Sequence, residues 1–118
     1  MVEAHGPPPL VHRSADFRGI KSPLLRDGPA LAGLLLSAAG AAGLSTAQPP
    51  TAHELPRDGL AVVLLLDLGH IVAHTVPSRE LILLDLLVPA GRDPQKAVDV
   101  FIRKLGARES RSSRHDRG

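Results

Sequence analysis

Three apolar segments in the middle of the chain constrain its fold more than any other feature. They cover residues 61–68, 70–76 and 81–88, with Gly69 between the first two and Pro77-Ser78-Arg79 before the third. The first is a nearly continuous Val/Leu run, which is typical of a strand buried on both faces. Because a short turn joins the second segment to the third, the sequence predicts a hairpin within a sheet.

Two helices and two further strands are predicted on either side of these segments. Residues 30–42 are rich in Ala and Leu, with Pro29 suited to a first helical turn and Gly43 to a helix end. A second helix is expected to begin at the Asp93–Pro94 pair and to end at Gly106. Its apolar residues recur at helical spacing: Ala97, Val98, Phe101, Ile102 and Leu105. Short strands are expected at 15–17 and 44–47.

This order of elements predicts an α/β (α+β) domain, a two-layer sandwich with helices on one face of an antiparallel or mixed sheet. Residues 1–11 contain a Gly-Pro-Pro-Pro sequence and are expected to be a flexible leader before a domain at 12–106. Residues 107–118 are rich in Arg and Ser, and we expect a solvated tail because they lack a core-forming pattern. A chain of 118 residues is marginal as an isolated domain, so a partner subunit is expected.

Composition excludes several kinds of site. Without cysteine the chain has no disulfide, thiolate nucleophile, zinc–thiolate site or iron–sulfur cluster. Two phenylalanines are its only aromatic residues, and a net charge of +2 is too small to indicate nucleic-acid binding. The apolar stretch 31–44 is too short and Gly-rich to span a bilayer, so we expect a cytoplasmic protein without nucleic-acid or membrane partners.

The segment from Leu68 to Ser78, LGHIVAHTVPS, resembles a family signature. The signature is Glu-Ser-His, three residues, then His-Thr-Trp-Pro-Glu, and it matches without a gap. Upstream, His53 lies at the matching distance, and downstream Asp85 lies in a matching Leu-Asp-Leu segment. Residues 12–118 therefore resemble the small bacterial S-adenosylmethionine decarboxylases, and the resemblance implies their two-layer fold.

The departures from this family change the expected function. In the family, the Ser of Glu-Ser-His attacks the preceding carbonyl, and the chain splits to leave a pyruvoyl group that acts as an electron sink. Gly69 stands in place of that Ser, so we expect no pyruvoyl group and no cofactor. Other family residues of this pocket are also replaced: Glu by Leu68, Ser by Ala61, Trp by Val76, Glu by Ser78 and the proton-donating Cys by Pro89.

Several polar residues remain near the altered signature. His70 and His74 are predicted on one face of a strand, and with Asp67 they are the candidate catalytic residues. The candidate ligand-binding residues are His53, Gly69, Thr75 and Ser78. Equally compatible with the sequence is a set of inherited hydrogen-bonding residues at a sheet edge or dimer interface. We expect a structural role for Asp85, and no metal site, because the histidine spacing is not a zinc pattern.

Two functions follow from these features. The first is a protein that keeps the decarboxylase fold but is repurposed to bind a small molecule. It would be a cofactor-free acid–base enzyme (a lyase, cyclase or isomerase) of bacterial specialised metabolism that uses His70 and His74. The alternative is a catalytically dead regulatory or structural partner of an active decarboxylase subunit in polyamine biosynthesis. Under either function the resemblance implies a dimer, with a second copy or with a related subunit.

Overall fold

The computed structural model describes residues 6–118, whose strands form one six-stranded antiparallel sheet. In chain order the strands are β1 (Leu10–Arg18), β2 (Thr51–Glu54), β3 (Leu60–Leu65), β4 (His70–Val76), β5 (Leu81–Pro89) and β6 (Glu109–Arg117). Their order in the sheet is β2-β3-β4-β5-β1-β6, and every pairing is antiparallel. The predicted hairpin is β4–β5, joined by a 3₁₀ turn at Pro77–Arg79.

Three helices pack on one face of this sheet: α1 (Ser22–Leu25), α2 (Gly28–Ala41) and α3 (Pro94–Leu105). Their limits follow local chemistry. The Asp27 carboxylate accepts a hydrogen bond from the Ala30 amide at 3.0 Å, and the Asp93 carboxylate accepts one from the Gln95 amide at 3.0 Å. Gly106 ends α3 in the left-handed conformation, as predicted.

The core lies between the helices and the sheet face that they cover. Its two phenylalanines, Phe17 of β1 and Phe101 of α3, are fully buried with ring centroids 6.1 Å apart. The other large, fully buried side chains include Leu31, Leu35, Val62, Leu64, Ile71, Ile82, Leu84 and Leu86. Each such side chain contributes roughly 1.5–3 kcal/mol by leaving water.

The opposite face of the sheet carries no helix in the described part of the chain, and we call it the open face. It is formed by His70, Val72, His74 and Val76 of β4, and by the residues paired beside them across the sheet. The prediction that residues 61–68 are buried on both faces is therefore wrong, because Val63 is half-buried and Leu65 is 44% exposed. A continuous apolar run does not by itself show that both faces of a strand are covered.

The ends of the chain depart most from expectation. Residues 109–117, expected in a solvated tail, form β6 and pair with β1 along their whole length. All nine β6 side chains are exposed, so the strand has no apolar pattern, and backbone pairing with an edge strand needs none. Leu10 and Val11 of the expected leader belong to β1, whereas residues 1–5 of that leader lie outside the described part.

The segment before β3 also differs. The strand expected at 44–47 is reduced to a single bridge between Thr46 and Leu66, and the short β2 at Thr51–Glu54 was not predicted. Among residues 6–118, no helix is long and apolar enough to cross a bilayer.

Candidate functional site

Gly69 lies in the turn that joins β3 to β4. The Leu66 amide donates a hydrogen bond to the Gly69 carbonyl at 3.1 Å, and Gly69 has a φ of +103°. A Cβ built on Gly69 would lie 1.9 Å from the carbonyl oxygen of Leu87 on β5. A side chain at position 69, a serine included, therefore requires the backbone of this turn or of β5 to shift.

His70 and His74 both lie on the open face, so this part of the prediction is confirmed. They are four residues apart on a strand, which separates their Cα atoms by about 13 Å at 3.3 Å per residue. His74 is exposed and His70 is half-buried. Because of this distance the two imidazoles do not form one acid–base pair.

A different histidine lies closer to His74 across the sheet. His53 of β2 pairs with Ala61 of β3, and Ala61 pairs with His74 of β4. The Cα atoms of His53 and His74 are then about 10 Å apart, twice the spacing between strands. Only the methyl side chain of Ala61 lies between the two histidines in this row of the sheet. His53 also lies 3.2 Å from the Thr51 hydroxyl through Nε2.

Thr75 lies on the other face of β4, among the helices, and is only 1% exposed. Its hydroxyl donates to the Leu25 carbonyl at 2.8 Å and accepts from the Leu60 amide at 2.8 Å. These bonds join α1, β3 and β4. The Thr75 hydroxyl, which was predicted to bind a ligand, is enclosed and already hydrogen-bonded within the fold.

Ser78 and Asp67 lie beyond opposite ends of β4. Ser78 is exposed on the 3₁₀ turn that follows the strand, whereas Asp67 precedes the strand. Asp67 lines a cavity of about 200 Å³, together with Gly43, Leu44, Ser45, Leu66, Leu68, Pro89 and Arg92. The lining of this cavity contains no histidine.

A second polar cluster on the open face was not predicted as a site. Nε2 of His12 on β1 donates a hydrogen bond to the Asp85 carboxylate of β5 at 3.0 Å. The His12 ring lies against the His115 ring of β6, with centroids 6.4 Å apart and planes inclined by 18°. Asp85 was expected to be structural, and its bond to His12 fits that role. No local pattern identifies His12 or His115, because their neighbours come from distant parts of the chain.

Asp58 lies outside these clusters, and its pKa is lowered. Its hydrogen bond with the Arg26 guanidinium, at 2.7 Å, and a bond from the Gly59 amide hold the Asp58 pKa below its usual value. The pair ties α1 to the loop between β2 and β3. Among residues 6–118, no group of three or more His, Asp or Glu side chains is arranged to hold a metal ion.

Comparison with known proteins agrees with this architecture. A family model described as S-adenosylmethionine decarboxylase matches residues 11–118. The crystal structure of the adenosylmethionine decarboxylase from Aquifex aeolicus superposes with a TM-score of 0.83 at 24% identity, covering 96% of this chain and 93% of that one. No curated protein matches the chain.

Proposed function

The chain belongs to the S-adenosylmethionine decarboxylase family, and we propose that it is a member without the pyruvoyl group, which binds a small molecule on its open face. The conformation of Gly69 is the observation that carries this proposal. The family makes its cofactor from a serine at this position, and here a Cβ would lie 1.9 Å from the Leu87 carbonyl oxygen. The position lacks the hydroxyl, and a serine there would require the backbone of β5 or of the turn to shift.

The surface above Ala61 is the proposed binding position. His53 and His74 flank it, and Leu83 lies beside His74 on β5. Two imidazoles can exchange protons with a ligand held between them, one accepting while the other donates. This supports a cofactor-free proton transfer with His74 and His53, rather than the His70 and His74 pair expected from the sequence. The site has no aromatic platform, which favours a small aliphatic or amine ligand over an adenosine.

Two measurements test this function. Intact-mass spectrometry should give a single uncleaved chain, and two chains with a carbonyl-blocked terminus would refute the absence of the pyruvoyl group. The histidine ring resonances should then be followed by NMR during titration with butane-1,4-diamine and, separately, with S-adenosylmethionine. We expect the diamine to shift His53 and His74, and Ala61→Leu to abolish the shift by covering this surface. Shifts confined to His12 and His115 would contradict the proposed position.

A second candidate function is supported by the apolar part of the open face. Besides Leu65, side chains there are left partly exposed to solvent: Val63, Val72, Val76, Leu83 and Leu87. Six strands of about seven residues give a face of roughly 29 by 23 Å. That is about 650 Å², near the ~800 Å² that each partner contributes to a stable interface.

We propose that a second copy of this chain covers the open face. A related active decarboxylase subunit is the alternative occupant, and this chain would then be its non-catalytic partner. His74→Gln separates the two functions. The substitution should abolish diamine binding if the chain acts on a small molecule. It should leave activation of a co-expressed active decarboxylase nearly unchanged if the chain serves as a partner subunit.

A further inference from the structure

All five histidines of the described residues lie on the open face of the sheet. The strand registers place them in two rows across it. His53 and His74 share one row, with Ala61 between them. His70, His12 and His115 share the other, with Leu87 between the first two. Histidine is the side chain whose charge changes between about pH 5 and pH 8, so the titration of these imidazoles is concentrated on one surface.

The other charged strand residues of this face balance one another. The registers place on it three acidic residues and three arginines: Asp16, Asp85, Glu109, Arg18, Arg111 and Arg117. The net charge of the strands on this face therefore equals the number of protonated histidines. It is near zero when the imidazoles are neutral and rises to as much as +5 when all of them are protonated.

We propose that protonation of these histidines drives apart two copies of the chain that are paired through the open face. The inference rests on the self-pairing proposed above and adds its regulation by pH. Two faces with balanced charges meet without net repulsion when the imidazoles are neutral. When the imidazoles are protonated the same faces are both positive, so they repel one another.

His70 and His74 contribute most, because they lie within the apolar part of the face. The residues directly beside them on β3 and β5 are uncharged: Leu65 and Leu87 beside His70, Ala61 and Leu83 beside His74. The nearest carboxylate is Asp85, which lies diagonally from both on β5 and already contacts His12 at 3.0 Å. The remaining charged groups in the two rows lie at least two strands away: His53, Asp16, Arg111, His12 and His115.

Burial of a protonated imidazole without a carboxylate partner is costly, so pairing requires His70 and His74 to be neutral. The size of the effect follows from linkage. For the general reference pKa of an imidazole, about 6.5, a requirement that one imidazole per copy be neutral in a dimer corresponds to a rise in the dimer Kd of about 100-fold between pH 8.0 and pH 5.5. Participation of both histidines makes the change larger.

Sedimentation velocity over a concentration series at pH 8.0 and pH 5.5, at constant ionic strength, tests the proposal. The full chain should be dimeric at pH 8.0, and its dimer Kd should be at least about 100-fold higher at pH 5.5. The double variant His70→Gln, His74→Gln has no charge at these positions and should lose most of this pH dependence. His115→Gln, on the edge strand away from the apolar part, is the matched control and should keep it. Circular dichroism at both pH values checks that every variant stays folded.

The outcomes separate the two proposals. A dimer with the same Kd at both pH values overturns the pH control and leaves the self-pairing in place. A monomer at both pH values overturns the self-pairing and the pH control together. A pH dependence that the double variant keeps in full overturns the assignment to His70 and His74.

Discussion

Gly69→Ser restores the hydroxyl from which the family makes its cofactor, and we expect it to destabilise the protein rather than to restore chain cleavage. A residue with a Cβ at a φ of +103° costs about 1–2 kcal/mol. The Leu87 carbonyl oxygen, 1.9 Å from the new Cβ, must also retreat by about 1 Å to reach 3.0 Å. Leu87 lies within β5 between His70 and His12, so this shift weakens one or two ladder hydrogen bonds of about 1 kcal/mol each.

The expected loss is roughly 2–4 kcal/mol in the free energy of unfolding, with no chain cleavage. Urea unfolding followed by circular dichroism measures the first quantity, and intact-mass spectrometry measures the second. Gly33→Ala is the matched control, because Gly33 is exposed on α2 and a Cβ added there would have no neighbouring atom within 4 Å. This control should stabilise the protein by about 0.5–1 kcal/mol. The reasoning fails if Gly69→Ser unfolds within about 0.5 kcal/mol of the parent, or if the variant splits into two chains.

Three other predictions follow from contacts of the described residues. Thr75→Val should cost about 2–4 kcal/mol in urea unfolding, because it leaves the Leu60 amide and the Leu25 carbonyl without their buried partner, and it should not change diamine binding. Arg26→Ala should raise the Asp58 pKa, as followed by carboxyl NMR. Because the folded-state pKa of Asp58 is lowered, its contribution to stability is present above the unfolded pKa and is lost as pH falls through the folded value. Deletion of residues 109–118 exposes the outer edge of β1 and should promote aggregation in size-exclusion chromatography, whereas Ser110→Ala on the exposed strand should not.

Local sequence patterns correctly predicted the parts of the structure that depend on residues close together in the chain. The Asp93–Pro94 start of α3, its end at Gly106 and the β4–β5 hairpin all agree with expectation. Strand β6 could not be predicted in this way, because its pairing with β1 joins residues about 90 to 107 positions apart and no apolar alternation accompanies it. The strand expected at 44–47 is limited to the Thr46–Leu66 bridge and the two backbone hydrogen bonds beside it, from the Ala47 amide to Leu65 and from the Asp67 amide to Ser45.

In the candidate site, too, local sequence patterns predicted some features, and only the pairing of distant strands shows the others. Strand periodicity placed His70 and His74 on one face, but it did not show the nearer His53 across Ala61. It also could not show that Thr75, next to His74 in the chain, faces the helices and bonds to α1. Adjacent residues on a strand point to opposite faces, so a motif that is continuous in sequence is divided by the sheet.

By itself the sequence determined the family, the two-layer fold and the loss of the serine that makes the cofactor, because these depend on residue identity, spacing and local periodicity. Only the tertiary structure showed that a side chain at position 69 would collide with the backbone, since the obstacle is the Leu87 carbonyl of another strand. Only the tertiary structure collected the five described histidines on one uncovered face, with arginines and carboxylates in equal number beside them. Cross-strand register determines such neighbours, and register is set by the packing of the whole sheet rather than by any one segment.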